Sequence, residues 1–261
     1  MRIIRVFSIS IFLLVATFII QGMTQYALKP LLFSFLQVLF VAEILTIIFA
    51  FVVGKWLKIN FYWQLPKFQN YHEYTVFVLP VLLVAAISTI SIMTMPTISI
   101  LQWLEGILLV LSAAVAEELI LRGVVLNLFV KLFSGTTKYA EVYMCIATSI
   151  VFSSAHLMNL VHQSLFQTLD QMIGVFGLGM VLGMLYIRSG SLILPILLHS
   201  FFNLPGVVKG NLIGNTTYAS NIGRTLNMLY IAIAASIYVI CYLKPLNRDK
   251  FNLIKRVKSR N

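Results

Sequence analysis

The sequence predicts an all-α polytopic membrane protein of about eight transmembrane helices. Three observations carry this. Of 261 residues, 60% are hydrophobic, more apolar surface than one soluble core of that size can hide. Only 10% are charged, against roughly 25% in an average soluble domain. The apolar residues also fall in stretches close to the roughly 20 that cross a bilayer as a helix. The same composition, with 14 Gly, 7 Pro and 2 Cys, excludes disordered, collagen-like and disulfide-scaffold classes.

The expected spans are 6–23, 31–53, 74–95, 100–130, 140–160, 168–187, 191–206 and 225–243. The first opens with Met1–Arg5 and has signal-peptide character. No small-residue cleavage site follows it and seven more spans do, so it reads as a retained helix. The second carries Glu43 in an otherwise apolar run. Segment 59–73 is aromatic and mixed, an interfacial connector, and His72 is expected in this loop. The fourth span is long enough for one tilted helix, or for a short interfacial helix around Trp103–Glu105 leading into a span. The sixth carries Gly179 and Gly183, a small-xxx-small pair suited to close helix packing. The seventh is short, and Pro195 either breaks it or starts its regular part. The chain reads as a single membrane domain, 1–261, with a basic tail at 244–261 expected to lie against lipid. Cys145 and Cys241 have no metal or redox spacing and read as small buried hydrophobes.

The net charge is +11. In this class of chain that points to anionic lipid headgroups rather than nucleic acid. With both termini placed in the cytoplasm, fifteen of the 19 Lys and Arg lie inside, in the termini and loops from Arg2 to Arg260. Three lie outside (Lys29, Lys209 and Arg224), and Arg122 is within a span. That asymmetry predicts a multi-pass cell-membrane protein with cytoplasmic termini.

An ionisable residue at membrane depth costs at least roughly 2.5–3.5 kcal/mol and asks for a reason. The fourth span holds Glu117, Glu118 and Arg122. Glu118 and Arg122 are i,i+4 and can pair. Glu117 points about 100° away, without an intrahelical partner, and is free for acid–base chemistry. The plain alternative is a helix–helix salt bridge. His156 follows Phe152 in the fifth span, and the seventh holds His199 and Asn203, also i,i+4 and expected to face one cavity. Each of these alone is as readily a satisfied core residue. Together they supply what amide hydrolysis needs. Glu117 can act as base, His156 can share or orient a water, and His199 and Asn203 can donate to an oxyanion. Rise per residue places His156 and His199 at different depths, so helix tilt must bring them together. Glu43 has no motif around it and reads as pairing with another helix or carried neutral. Glu105, Asp170 and His162 read as interfacial.

The motifs Glu117–Glu118…Arg122, Phe152…His156 and His199…Asn203, with the run Ser189–Pro195 before the last, resemble the CPBP family (CAAX protease and bacteriocin-processing, also called Abi) of intramembrane proteases. The resemblance covers roughly 100–206, the expected catalytic core. It implies an eight-helix membrane endopeptidase with an intramembrane cavity, in which Glu117 activates water with His156. His199 and Asn203 form the oxyanion site, and Glu118, Arg122 and Phe152 give structural support. It further implies a peptide or membrane-protein substrate, and bacteriocin immunity or peptide maturation as the setting. The short Ile- and Lys-rich chain has a bacterial character, which argues against a prenylated substrate. The family has been labelled metalloprotease, and Glu117, His156 and His199 could supply three zinc ligands with an open fourth position. There is no His-Glu-x-x-His motif, and a zinc-bound Glu117 leaves no second free carboxylate as base. A metal-free glutamate mechanism without cofactor is therefore favoured, with zinc as the alternative. Two other classes compete: a non-catalytic immunity factor that binds through the same cavity, and a proton-coupled transporter, which would call for internal repeats that the chain does not show.

Overall fold

The computed structural model describes residues 2–31, 35–65, 71–93, 97–134, 136–208 and 222–258. Expectations that rest on Lys67, Lys209 or Arg260 lie outside them. The regular elements among these residues are all helical: α1 (Arg2–Leu28), α2 (Phe35–Trp56), α3 (Tyr71–Met93), α4 (Ile100–Glu118), α5 (Asn127–Phe133), α6 (Ala140–Ala155), α7 (Leu165–Ser189), α8 (Ile193–Val207), α9 (Ile222–Leu243) and α10 (Asn252–Lys258). Six stretches are long and apolar enough to cross a membrane, within α1, α2, α3, α6, α7 and α9. The other two expected spans are present as helices that miss that standard. α8 has only 15 residues, and the α4–α5 stretch carries three charges in its centre. Eight is thus an approximate count.

Ser99 starts α4 with a capping box closed by Gln102, which satisfies backbone donors that a helix start leaves open. From there one rod runs to Phe133, so the fourth span is a single helix with no separate interfacial piece. It departs from α geometry over Leu119–Leu126, where it widens to a π-helix. Asn127 meets the change in geometry: its side-chain amide donates to the carbonyls of Gly123 at 2.7 Å and Arg122 at 3.3 Å, and to the Tyr186 hydroxyl at 2.9 Å.

α7 is the central helix, 72% of its best apolar window being buried, against 17% for α1 and α9. Its glycines make this possible. A Cβ at Gly179 or Gly183 would meet the side chains of Ser149 or Cys145 on α6 at 3.0 Å, and one at Gly177 would meet the Ala232 backbone on α9 at 2.9 Å. The small-residue stripe therefore serves both neighbours. Gly177→Ala is expected to lower stability by about 1–3 kcal/mol, since backbone cannot yield as a side chain can. Thermal melting in detergent reads this, and an unchanged curve would refute the close α7–α9 approach.

Several outer positions correct the sequence expectations. His72 falls within α3 rather than a loop. Cys145 is buried, but Cys241 is exposed on peripheral α9. Asp170 is buried on α7, where Thr225 of α9 donates to it. His162 is exposed, as an interfacial residue would be, and Glu105 is half-buried on α4. The tail folds back onto the bundle instead of lying wholly on lipid, with Phe251 and Leu253 fully buried and Ile254 and Val257 nearly so. The apolar side of α10 drives this. Gly190 at φ 64 admits it, since a Cβ there would meet the Asn252–Leu253 backbone at 3.1 Å.

The connector after α2 is also seated on protein. α2 ends in a Schellman motif: Ile59 N–H reaches the Gly54 carbonyl at 2.8 Å and Lys58 N–H the Lys55 carbonyl at 3.1 Å. This puts Lys58 in the left-handed region at φ 53, a position usually held by Gly and one that costs another residue roughly 1–2 kcal/mol. Phe61 then wedges between two glycine notches, Gly54 on α2 and Gly123 in the π segment, where a Cβ would come within 2.6 and 2.5 Å of its ring. The Ser189–Gly190–Ser191 turn completes the seat, with Ser191 Oγ donating to the Trp63 carbonyl at 3.1 Å and Leu192 N–H to the Tyr62 carbonyl at 2.8 Å.

Candidate active site

Glu117 and Glu118 end α4, just before the widened turn, and their side chains diverge as the helical period requires. Glu118 is fully buried and Glu117 is 38% exposed. The Arg122 guanidinium donates to Glu118 Oε1 at 2.7 Å and to the Gly179 carbonyl at 3.1 Å, and lies 4.9 Å over the Phe152 ring. The expected i,i+4 pair is therefore present, and it also ties the fourth span to α7 and α6.

Glu118 has a second partner that the sequence reading did not assign. His199 Nδ1 lies 2.9 Å from the same Oε1. Its other ring nitrogen, Nε2, faces Glu117 Oε2 at 3.6 Å. One buried imidazole is thus held between the two adjacent carboxylates. Glu118 orients His199 as well as pairing with Arg122.

His156 sits where α6 stops and a 3-10 turn begins. Its Nδ1 is 3.2 Å from the Phe152 carbonyl. A carbonyl only accepts, so the neutral ring carries its proton on Nδ1 and leaves the Nε2 lone pair available. Phe152 touches both histidines edge-on, with ring centroids 5.5 Å from His156 and 5.6 Å from His199. Both histidines therefore contact the same ring. Phe152 is thereby the contact that joins the three motifs.

A cavity of about 200 Å³ opens beside this cluster, with Glu117, His156 and Phe152 in its wall. The opposite wall belongs to α1 and α2 and holds Glu43 and Gln21, whose amide donates to the Glu43 carboxylate at 3.3 Å. Asn159 and Gln171, hydrogen-bonded at 2.7 Å, add a further polar edge. The available signal for Glu43 was its own expense, an acid in an apolar span. The identity of its neighbour was not in the local sequence, because α1 supplies it.

Neither His199 nor Asn203 is in the wall of this cavity. His199 is 2% exposed and lies behind Glu117. Asn203, one turn further along α8, is half-buried and has no hydrogen-bond partner among the described residues. Among the described residues no group of three or more His, Cys, Asp or Glu is disposed to hold a metal ion.

Comparison with known families places this geometry in context. Residues 99–205 match the family model described as type II CAAX prenyl endopeptidase Rce1-like. The match contains every motif residue from Glu117 to Asn203 and agrees with the CPBP resemblance. No curated protein matches the chain. The family match supports membrane endopeptidase activity of the CAAX-protease type in general, and with the apolar helices it indicates a multi-pass membrane protein.

Proposed function

From a central region that is Rce1-like, we propose that this chain is an intramembrane endopeptidase. It hydrolyses a bond in a peptide or membrane-protein substrate with water activated by Glu117 and His156. The observation that carries this reading is the division between neighbours: Glu118 is buried and doubly engaged, while Glu117 reaches a cavity shared with His156.

In this mechanism the substrate carbonyl enters the cavity beside Glu117. A water between Glu117 and His156 loses its proton to the Glu117 carboxylate as its oxygen bonds to the carbonyl carbon, and His156 Nε2 orients it. The carbonyl electrons move onto oxygen. His199, protonated on both nitrogens, donates from Nδ1 to Glu118 and offers Nε2–H to the oxyanion, with the Asn203 amide as second donor. With His199 so charged, Glu117, Glu118, Arg122 and His199 sum to zero, which keeps the cluster affordable at membrane depth. Collapse of the intermediate breaks the C–N bond, and the proton on Glu117 passes to the leaving amine. Bringing Asn203 and His199 Nε2 to the oxyanion requires the substrate to insert past Glu117 toward α8.

The charge distribution supports a cell membrane with both termini cytoplasmic, and the short Ile- and Lys-rich chain supports a bacterium. Bacteriocin immunity or peptide maturation then supplies a short peptide as substrate. The test is cleavage of a peptide library, including a prenylated CAAX peptide, by the purified protein in detergent. Wild type is compared with Glu117→Gln, each with and without a strong zinc chelator. Glu117-dependent cleavage that survives chelation supports the glutamate mechanism. Loss on chelation with recovery on adding zinc overturns it. Absence of cleavage throughout moves the weight to a binding-type immunity protein using the same cavity.

A further inference from the structure

A second cavity, of about 750 Å³, lies away from the catalytic cluster, between the end of α2, the connector after it, α5 and α10. Three lysines line it: Lys55, Lys58 and Lys131. Among the described residues no acid is in its wall and none of the three has an ion-pair partner. Lys131 Nζ instead donates to the Lys58 backbone carbonyl at 2.6 Å. Three like charges around one cavity repel one another unless an anion neutralises them.

All three lysines are exposed, and two features fix the backbone that carries them. Lys58 occupies the left-handed end of the Schellman motif, where glycine would be unstrained, so its side chain is kept at a conformational disadvantage. The cavity wall is also rigid, because Phe61 is locked between Gly54 and Gly123 and the connector is hydrogen-bonded to the Ser191 turn. Asn60 adds a polar side chain to the rim.

The surroundings select among anions. Phe51 and Trp63, both in the wall, are 44% and 39% exposed, and Trp56 beside them is 75% exposed. Exposed tryptophan at a helix end is the mark of a membrane interface. A cationic pocket there, flanked by exposed apolar rings, fits a headgroup whose acyl chains continue along α2. We infer that this cavity binds the phosphodiester headgroup of an anionic phospholipid, through Lys55, Lys58 and Lys131.

The test is native mass spectrometry of the full-length protein in neutral detergent. It is titrated with dioleoylphosphatidylglycerol, with dioleoylphosphatidylcholine, and with inorganic phosphate as competitor. The expected result is one retained phosphatidylglycerol, bound more tightly than phosphatidylcholine. Lys58→Gly should weaken it about five-fold, and Lys55→Gln with Lys58→Gly and Lys131→Gln about a hundred-fold, at roughly 1 kcal/mol per lysine near the surface. The Lys58→Gly melting temperature should be unchanged or raised, since glycine suits that backbone, so its loss of binding cannot come from unfolding. Equal retention of phosphatidylglycerol by wild type and triple variant, or equal binding of phosphatidylcholine, overturns the inference. Displacement by inorganic phosphate at concentrations matching the lipid overturns the lipid source and assigns the pocket to a soluble phosphate. None of these readouts depends on proteolysis.

Discussion

Arg122→Ala is expected to destabilise the folded protein by about 3–5 kcal/mol, the range for removing one partner of a buried pair. The guanidinium is 1% exposed and Glu118 fully buried. Its loss strands that carboxylate with only His199 to answer it, and removes the tie to the Gly179 carbonyl and the contact over Phe152. Arg122→Lys should recover only part of this, because a single ammonium cannot span both the Glu118 oxygen and the Gly179 carbonyl as the planar fork does. The measurement is membrane-inserted abundance together with thermal unfolding in detergent. Glu118→Ala should lower abundance as well, and turnover of the remaining protein too, since His199 loses its Nδ1 partner. Wild-type stability of Arg122→Ala with abolished turnover would show that the assignment of structural work to Glu118–Arg122 is wrong.

Glu117→Gln is expected to lower turnover by about 10²–10⁴-fold, the usual contribution of a positioned general base. Its effect on stability should be small. The side chain is 38% exposed, the change is isosteric, and His199 Nε2 stands 3.6 Å away. This contrast with Arg122→Ala is the sharpest available separation of chemistry from support. The specific activity of purified, correctly folded variant reads it directly. Retained activity in Glu117→Gln would sink the glutamate-base reading and favour a cavity used for binding.

How much of this was legible in advance follows from what is local in the chain. Span positions, the Glu118–Arg122 pair and the divergence of Glu117 all depend on composition and helical period, and both are properties of consecutive residues. The three motifs were likewise readable as a set, since their residue types and spacing stand out against apolar surroundings. What lies between helices was not readable. His199 holding Glu118, Phe152 touching both histidines, and Glu43 facing the cavity from α2 each join residues from separate helices. The i,i+4 spacing of His199 and Asn203 puts two side chains on one helix face, but which surface that face meets is decided by the neighbouring helix. The π turn after Glu118 was also hidden, because Asn127 and Tyr186 accompany it from outside the turn. The sequence by itself determined an apolar all-α bundle and the three motifs at its centre, because hydropathy and the 3.6-residue period act over one or two turns. Only the tertiary structure decided that Glu118 also holds His199, that Glu43 shares the cavity with Glu117, and where the tail and connector seat. Those outcomes rest on contacts between segments tens of residues apart, where packing and charge pairing choose among arrangements that the local pattern leaves equal.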